Sequence, residues 1–281
     1  MRILILLSFI TTFLFITALS APAAIDPNMI LYCSFDEQID GRQVEDLTGG
    51  GNHGKLKLGA KLTNEPAEVY KGTGAVKFTN ISAQIRVDPF KELDTYKDHT
   101  YTFWLYIFGP TRKPWNPERI PHRASLLEKG NILEGNVKGY APAIFLREDP
   151  LGSLIWQYEG GAGLQGALGE DSTGADGKGT GFEATKWYHI AGVKQGGSLI
   201  IYVDGKERGR HDAAKDFKQG KAQLRIGGTR ERAAHFAMDE FGLYNRALTA
   251  KEVALDAKGV FLSVEPQDKL TTTWARLKIG R

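Results

Sequence analysis

The chain has 281 residues, and 36 Lys and Arg against 33 Asp and Glu give it a formal net charge of +3. A charge this close to balance gives no indication of a nucleic-acid partner. Its single cysteine excludes an internal disulfide, so the fold must be held together by its core alone.

The N-terminal stretch has the form of a signal peptide. Arg2 supplies a positive charge, residues 3–18 are almost wholly apolar, and Ala21-Pro22-Ala23 has the A-x-A form of a cleavage site. The apolar run is shorter than the roughly 20 residues that a membrane-spanning helix needs. We therefore predict cleavage after Ala23, an extracellular or periplasmic product, and no integral membrane span after cleavage. A membrane anchor is the alternative interpretation.

Beyond this stretch, short alternating or apolar runs are separated by Gly, Asn, Asp and Pro, a pattern that favours antiparallel strands. The run 100–108 has large residues on both faces, which predicts a strand that is covered on both sides. Residues 75–87 are predicted to form a hairpin across Thr79-Asn80, and Asp204-Gly205 is predicted as a two-residue hairpin turn. The predicted strands are 30–35, 75–78, 83–87, 100–108, 125–128, 143–146, 154–158, 187–193, 199–203, 222–226 and 236–244.

One helix is predicted near the C-terminus. Thr249 and Glu252 have the spacing of a capping box, and Gly259 is placed to end the helix. Many strands with one short C-terminal helix predict an all-β protein, a two-sheet antiparallel β-sandwich, rather than an α/β fold.

The predicted organisation is a signal peptide over residues 1–23, one sandwich domain over 24–262 and a tail over 263–281. Two stretches are predicted as long loops: 110–123, which is rich in proline, and 159–181, which is rich in glycine. Long loops at a sandwich edge often bind ligands, although tolerated insertions have the same composition.

Two chemically reactive side chains are predicted to be structural. Cys33 lies in an apolar period-2 run, so we expect it to pack as a small buried side chain. His189 shares its strand face with Trp187 and Val193, which predicts a hydrogen-bonded core histidine rather than a metal ligand.

Several motifs follow one another in a recognisable order. A strand ends in Phe35-Asp36-Glu37 and leads to the turn 51–54 (GNHG). The strand 187–193 (WYHIAGV) is followed by 201–205 (IYVDG), and the closing segment is 238–248 (MDEFGLYNRAL). Across residues 30–258 this order resembles the laminin-G-like jelly-roll domains of the concanavalin A-like lectin/glucanase superfamily, of the type found in secreted bacterial proteins. The resemblance implies a jelly-roll, concanavalin A-like sandwich.

The resemblance also implies calcium as a cofactor, because domains of this family often hold one calcium ion near their first and last strands. Asp36, Asn52 and Asp239 are the predicted ligands, and their oxygens are of the hard type that calcium prefers. They converge if the first and last strands are neighbours. In the alternative interpretation Asp36 and Asn52 stabilise turns, and Asp239 bonds a loop backbone.

Catalytic residues are not predicted. Sandwich glucanases use acids that alternate on one face of a strand, whereas the acidic pair here, Asp239-Glu240, is adjacent and would point to opposite faces of a regular strand. Glu128 is the one acid of its strand. The sequence has no nucleophilic-serine motif and no histidine spacing of a transition-metal site. We therefore expect a protein that is not an enzyme, with an unrecognised glycoside hydrolase or lyase site as the alternative.

Carbohydrate binding is the leading functional expectation. Sugars stack on flat aromatic rings beside polar groups, and the predicted ligand-binding residues are Trp115, Tyr140, Trp156 and Tyr158. Each of them could instead fill the core. We expect a secreted, non-catalytic, calcium-assisted binding module whose partner is a glycan or a cell-surface or extracellular protein. A structural or adhesion sandwich that binds only protein is the alternative.

Overall fold

Two antiparallel sheets account for most of the described chain. The computed structural model describes residues 25–259 apart from 37, 40, 81, 96, 109–122, 130–140, 149–150, 161–162, 170–181, 184, 213–220 and 229–234. These residues belong to the compact unit Ile25–Val264. The predicted signal peptide and C-terminal tail, with Trp115 and Tyr140, lie outside the described residues, so the boundaries stay predictions.

The described elements are mostly strands, and the shortest of them lie in the first part of the chain. The strands are β1 (Met29–Cys33), β2 (Gln38–Ile39), β3 (Gln43–Val44), β4 (Gly54–Lys57), β5 (Lys61–Thr63), β6 (Ala75–Phe78), β7 (Gln84–Val87), β8 (His99–Ile107), β9 (Arg123–Lys129), β10 (Ala141–Glu148), β11 (Leu151–Gly160), β12 (Gly163–Gly169), β13 (Trp187–Gln195), β14 (Ser198–Val203), β15 (Lys206–His211), β16 (Leu224–Gly227) and β17 (Phe236–Tyr244). The helices are α1 (Lys91–Thr95), α2 (Ala250–Asp256) and the 3-10 turn Pro66–Glu68.

The sheet topology is that of a two-layer sandwich. Sheet A has the strand order β15-β14-β13-β8-β17-β6-β5, and β1 also pairs with β17. Sheet B has the order β12-β11-β10-β9-β16-β7-β4-β3-β2. Every strand pair in the described chain is antiparallel, for example β13 with β8 and β16 with β7. The predicted all-β antiparallel sandwich with a short C-terminal helix is confirmed.

The main core lies between the inner faces of the two sheets. Phe103 and Phe241 of sheet A and Ile226 and Trp156 of sheet B all have 0 % exposed surface. Their burial follows from the period-2 alternation of strands, which directs every second side chain to the same side. Each Å² of apolar surface that is removed from water stabilises the folded state by about 25 cal/mol. This apolar layer is therefore the main stabilising contribution to the fold.

A second apolar cluster covers the outer face of sheet A. Leu248 and Val253, which lie before and within α2, pack with Ala191, Ile200 and Tyr202 of the sheet. As a result β8 is buried on both faces along almost its whole length. This confirms the prediction that the 100–108 strand is covered on both sides.

Two local predictions are wrong. The segments 75–78 and 83–87 do not form a hairpin, because β6 pairs with β17 in sheet A and β7 pairs with β16 in sheet B. The chain therefore crosses between the layers at Thr79-Asn80. Residues 163–169 of the predicted glycine-rich loop form β12, which pairs along its length with β11. Backbone pairing there outweighs the low strand propensity of glycine.

Other local predictions are confirmed. Asp204 and Gly205 adopt φ values of 49° and 74° and connect Val203 to its partner Lys206. The Thr249 hydroxyl accepts from the Glu252 N–H at 3.3 Å, and the Glu252 carboxylate accepts from the Thr249 N–H at 2.7 Å. Cys33 is fully buried, and burial raises the pKa of its thiol. Among the described residues, none of the helices is long and apolar enough to span a membrane.

Candidate functional site

The first and last strands of the domain lie side by side. β1 pairs with β17 through partners such as Cys33 and Phe241. This pairing brings the end of β1, where Asp36 follows, close to the middle of β17, where Asp239 and Glu240 lie. The predicted condition for convergence of Asp36 and Asp239 is therefore met.

A β-bulge directs the carboxylates of Asp239 and Glu240 to the same side of sheet A. Glu240 adopts a left-handed φ of 51°, and the register of β17 against β8 shifts between Asp239 and Gly242. Met238 and Phe241 on either side both face the main core. The prediction that the two acids point to opposite faces is wrong, because it assumed a regular strand and a bulge adds one residue to the outer face.

Asp239 and Asp36 hold the segment that precedes β6, residues 70–74, which we call the clasp segment. Asp239 Oδ2 accepts hydrogen bonds from the backbone N–H groups of Tyr70 and Lys71, each at 3.0 Å. Asp36 Oδ1 accepts from the N–H groups of Thr73 and Gly74. Carboxylates that accept several backbone N–H groups fix a loop without regular structure.

The turn of the clasp segment requires a glycine. Gly72 has a φ of +72°, and a side chain there would collide with the Asp36 carboxylate. Asp36 and Gly72 are therefore matched, because the small residue allows the carboxylate to approach the backbone closely.

The Glu240 carboxylate has two side-chain partners, and its burial beside Asp239 is electrostatically unfavourable. It accepts from Tyr32 Oη at 3.0 Å and forms an ion pair with Lys71 Nζ at 3.1 Å. Burial raises the pKa of Glu240, and burial, aided by the Glu240 charge, raises the pKa of Asp239 to about 7. Lys71 supplies the positive charge that offsets this pair of buried acids.

Aromatic rings continue the outer face of sheet A beside these acids. The register aligns Asp239 with Trp104 and Trp104 with His189, so the three side chains form a row across β17, β8 and β13. The Tyr70 ring stacks on Trp104 with ring centroids 3.5 Å apart, and its edge meets Trp187 at 5.9 Å. We call Tyr70, Trp104, Trp187 and the adjoining Tyr106 the aromatic cluster.

The far end of this row is held by α2. His189 is 1 % exposed, and its Nε2 lies 3.1 Å from the Asp256 carboxylate. Trp104 packs edge-on against the same imidazole at 5.3 Å. His189 is thus a hydrogen-bonded buried histidine, as predicted, and it joins the C-terminal helix to the aromatic cluster.

The solvent-facing part of the cluster is a small aromatic surface with a cation at its edge. Tyr70, Trp104 and Trp187 are each partly exposed, and the Lys71 side chain is 46 % exposed. Because Tyr70 lies over a tryptophan of the sheet, its second ring face turns away from the sheet. This arrangement can stack against an apolar ring face and donate hydrogen bonds beside it.

The structure separates the other predicted site residues from this surface. Asn52 donates its N–H to Asp46 at 3.0 Å within its own turn. Trp156 is 0 % exposed and packs in the main core, which corrects its predicted role as a ligand-stacking ring. Tyr158 lies in β11, and its side chain, like Trp115 and Tyr140, is outside what the structure describes.

In the described ranges, no group of three or more His, Cys, Asp or Glu side chains is arranged to hold a metal ion.

Sequence reasoning missed Tyr70, Lys71 and Trp187. The alternation of Trp187 with His189 was a usable signal, whereas Tyr70 lies in irregular chain with no periodicity.

Fold and surface together define a β-sandwich of the lectin and glucanase type. The sequence model of the Concanavalin A-like lectin/glucanases superfamily matches residues 78–254, which is more than half of the chain. The chain belongs to this family, as the sequence motifs predicted. No curated protein matches the sequence.

Solved structures with the same fold have distant sequences. The binding domain of Paraclostridial Mosquitocidal Protein 1 superposes with a TM-score of 0.62 at 16 % identity, over 84 % of this chain and 53 % of that one. The botulinum neurotoxin serotype D binding domain gives 0.60 at 14 %, over 85 % and 53 %. A Trypanosoma rangeli sialidase gives 0.56 at 16 %, over 86 % and 34 %. The chain thus spans about half the length of the first two, and the likeness shows the fold alone.

Proposed function

We propose that this protein is a secreted, non-catalytic module that binds carbohydrate carried by a cell-surface or extracellular partner. The observation that carries the proposal is the aromatic cluster, in which Tyr70 is stacked on Trp104 and held in place by Asp239. A preorganised ring costs little entropy on binding, because its rotamer is already set by stacking and by the anchored backbone. The exposed Lys71 ammonium adds donors for sugar hydroxyls.

The solved structures support the choice of ligand class. One match is the botulinum neurotoxin serotype D ligand binding domain in complex with N-Acetylneuraminic acid, with a TM-score of 0.59 at 14 % identity. Another is the Trypanosoma rangeli sialidase in complex with the inhibitor DANA, with a TM-score of 0.54 at 15 % identity. A sugar, N-Acetylneuraminic acid, is thus a ligand of a protein that contains this fold.

The non-catalytic part of the proposal rests on how the acids of the site are used. Asp239 is 0 % exposed, and its two oxygens accept from three backbone N–H groups. Glu240 is 7 % exposed and is bonded to Tyr32 and Lys71. A glycosidase needs two carboxyl groups that face one cleft about 5–10 Å apart and can reach the scissile bond. These two acids instead serve the clasp segment.

Calcium assistance remains part of the proposal, but Asn52 is removed from the predicted ligands. Asp36 and Asp239 bind opposite ends of the clasp segment, whereas Asn52 belongs to the turn around Asp46. The carboxylates fit a hard cation in type, and burial raises the pKa of Asp239 and Glu240, so a bound cation would relieve a real cost. Of the predicted ligands, Asp36 and Asp239 would hold calcium, and they would have to exchange backbone hydrogen bonds for it, because the described residues contain no ready cluster of three metal-binding side chains.

The test is glycan binding by the secreted protein and by two variants of one residue. Tyr70→Ala should lower the affinity for the best glycan on an array at least about tenfold, because ring stacking is lost. Tyr70→Phe keeps the ring and should retain most of the affinity. Equal binding by Tyr70→Ala and the unmodified protein would refute this site, and absence of any glycan binding would favour the protein-only adhesion alternative.

A further inference from the structure

The outer face of sheet B carries a row of charged side chains that the aromatic cluster does not involve. Lys55 of β4 lies opposite Arg86 of β7, Arg86 lies opposite Arg225 of β16, and Arg225 lies opposite Glu128 of β9. Residues opposite one another in neighbouring strands share a face. The row therefore crosses four strands with three cations followed by one acid, and we call it the sheet B row.

The cations of the sheet B row differ in how they are paired. Lys55 pairs with Asp88 at the exposed edge, and Arg225 lies 3.7 Å from Glu128 at the inner end. Arg86 between them donates from Nε to the Gln84 side chain at 2.7 Å. Within the described chain no carboxylate forms an ion pair with Arg86. Like charges directly opposite each other destabilise a sheet, so this arrangement has a cost that an anion would remove.

The acidic end of the row has polar atoms that no described residue pairs with. Glu128 and Ser125 are 3 % and 1 % exposed, yet Glu128 Oε2 and Ser125 Oγ make no hydrogen bond to the described part of the chain. Ser125 lies opposite Phe145, which packs with Ala143 in a cluster separate from the main core. These oxygens therefore belong to the outer side of sheet B, where a buried polar atom requires a ligand or an ordered water.

The sheet B row carries both positive and negative charge, which limits the kinds of ligand that it can bind. A guanidinium binds carboxylates well because its fork of N–H groups matches two oxygens. The neighbouring Glu128 carboxylate would repel a polyanion such as a nucleic acid, but it accepts hydrogen bonds from hydroxyl groups. Burial raises the pKa of Glu128 to about 7, which adds a proton donor near neutral pH. A ligand that combines one carboxylate with several hydroxyls satisfies both ends of the row.

We propose that the sheet B row is a second binding site, specific for acidic saccharides. Arg86, flanked by Lys55, binds the sugar carboxylate, and Glu128 and Ser125 bind hydroxyl groups directly or through a bridging water. This inference goes beyond the proposed function, since it assigns a separate site on the other sheet and a charged ligand class.

The experiment compares two sugars that differ in one group. Sodium D-glucuronate and D-glucose are titrated into the whole secreted protein, and binding is followed by NMR shifts of the labelled backbone. Glucuronate should bind at least about tenfold more tightly than glucose, and its affinity should weaken as salt rises. Equal affinity for the two sugars, or no binding of either, would overturn the proposal.

Three variants locate the site. Arg86→Gln should weaken glucuronate binding at least about tenfold, because a charge-assisted carboxylate contact is lost. Arg208→Gln is the matched control, since it removes the same charge from an exposed position of β15 in sheet A. Arg86→Gln should weaken glucuronate binding by the same factor in a Tyr70→Ala background, which keeps this site distinct from the aromatic cluster. If Arg86→Gln and Arg208→Gln weaken glucuronate binding equally, the effect comes from the net charge of the protein and the site is refuted.

Discussion

Asp239 and Glu240 are adjacent in the sequence, yet both bind Lys71, the first through its backbone N–H at 3.0 Å and the second through its ammonium at 3.1 Å. The bulge at Glu240 makes this possible, and one residue of the clasp segment is thereby held at two points. The same contacts fix Tyr70, the neighbour of Lys71, over Trp104. The aromatic cluster therefore depends on acids that hold the backbone of the clasp segment.

Replacing Asp239 tests this dependence. Asp239→Ala leaves three backbone N–H groups without their acceptor, and we expect a loss of about 2–4 kcal/mol in the free energy of unfolding. The backbone amides of residues 70–74 should also exchange hydrogen faster in this variant. Asp88→Ala is the control, because its exposed ion pair with Lys55 should contribute less than about 1 kcal/mol. Unchanged exchange in the clasp segment of Asp239→Ala would contradict the anchoring role.

The pH dependence of stability should change in Glu128→Gln. Burial raises the folded-state pKa of Glu128 from its ordinary 4.5 to about 7. The folded state then holds its proton more tightly than the unfolded state, so the contribution of this group to stability is complete below about pH 4.5 and is lost as the pH rises through 7. Glutamine does not titrate, so the stability of the variant relative to the unmodified protein should rise by about 3 kcal/mol between pH 4 and pH 8. Urea unfolding across this range measures it, and a constant difference would show that Glu128 has an ordinary pKa.

Calcium should stabilise the protein if the proposed ligand set is right. A ligand at 100 times its dissociation constant adds about 2.7 kcal/mol to the folded state. For a chain of this size the melting temperature should rise by a few degrees in calcium relative to chelator. Asp36→Asn should remove the increase, whereas Asn52→Ala should retain it. Identical melting with and without calcium would leave these acids as backbone anchors alone.

The purified protein should not hydrolyse polysaccharides. The buried acids Asp239 and Glu240 are occupied by hydrogen bonds, so neither is free to act on a glycosidic bond. The measurement is reducing-end release from β-glucans, galactans and uronate polymers. Turnover that disappears in Glu240→Gln or Glu128→Gln would show that the protein is an enzyme.

Export should remove the N-terminal stretch. The small residues before Ala24 predict cleavage after Ala23, so the mass of the exported protein should correspond to a chain that begins at Ala24. A cleavage-site variant such as Ala23→Leu should accumulate with its N-terminus uncleaved. Exported native protein that retains Met1 would contradict the prediction.

Much of the fold could be predicted from local sequence patterns, because residues that are close in the sequence specify strands and turns. Alternation identified the buried strand 100–108, and the Asp204-Gly205 and Thr249-Glu252 signals placed a turn and a helix start. The hairpin predicted at Thr79-Asn80 failed because turn residues do not encode whether the next strand joins the same sheet or the opposite one. Similarly, Trp156 has the sequence signature of a sugar-binding ring, but only packing between the layers decides that it is buried.

By itself the sequence determined the class of fold and the family, since these follow from periodicity and from motifs in a fixed order. Only the tertiary structure decided the site. The bulge at Glu240 is a backbone irregularity with no periodic signal, and it reverses the face of one carboxylate. Tyr70 meets Trp104 because Asp239, 169 residues from it in the chain, holds its backbone. Contacts at such separations arise from the arrangement of the strands, and no local pattern of residues specifies them.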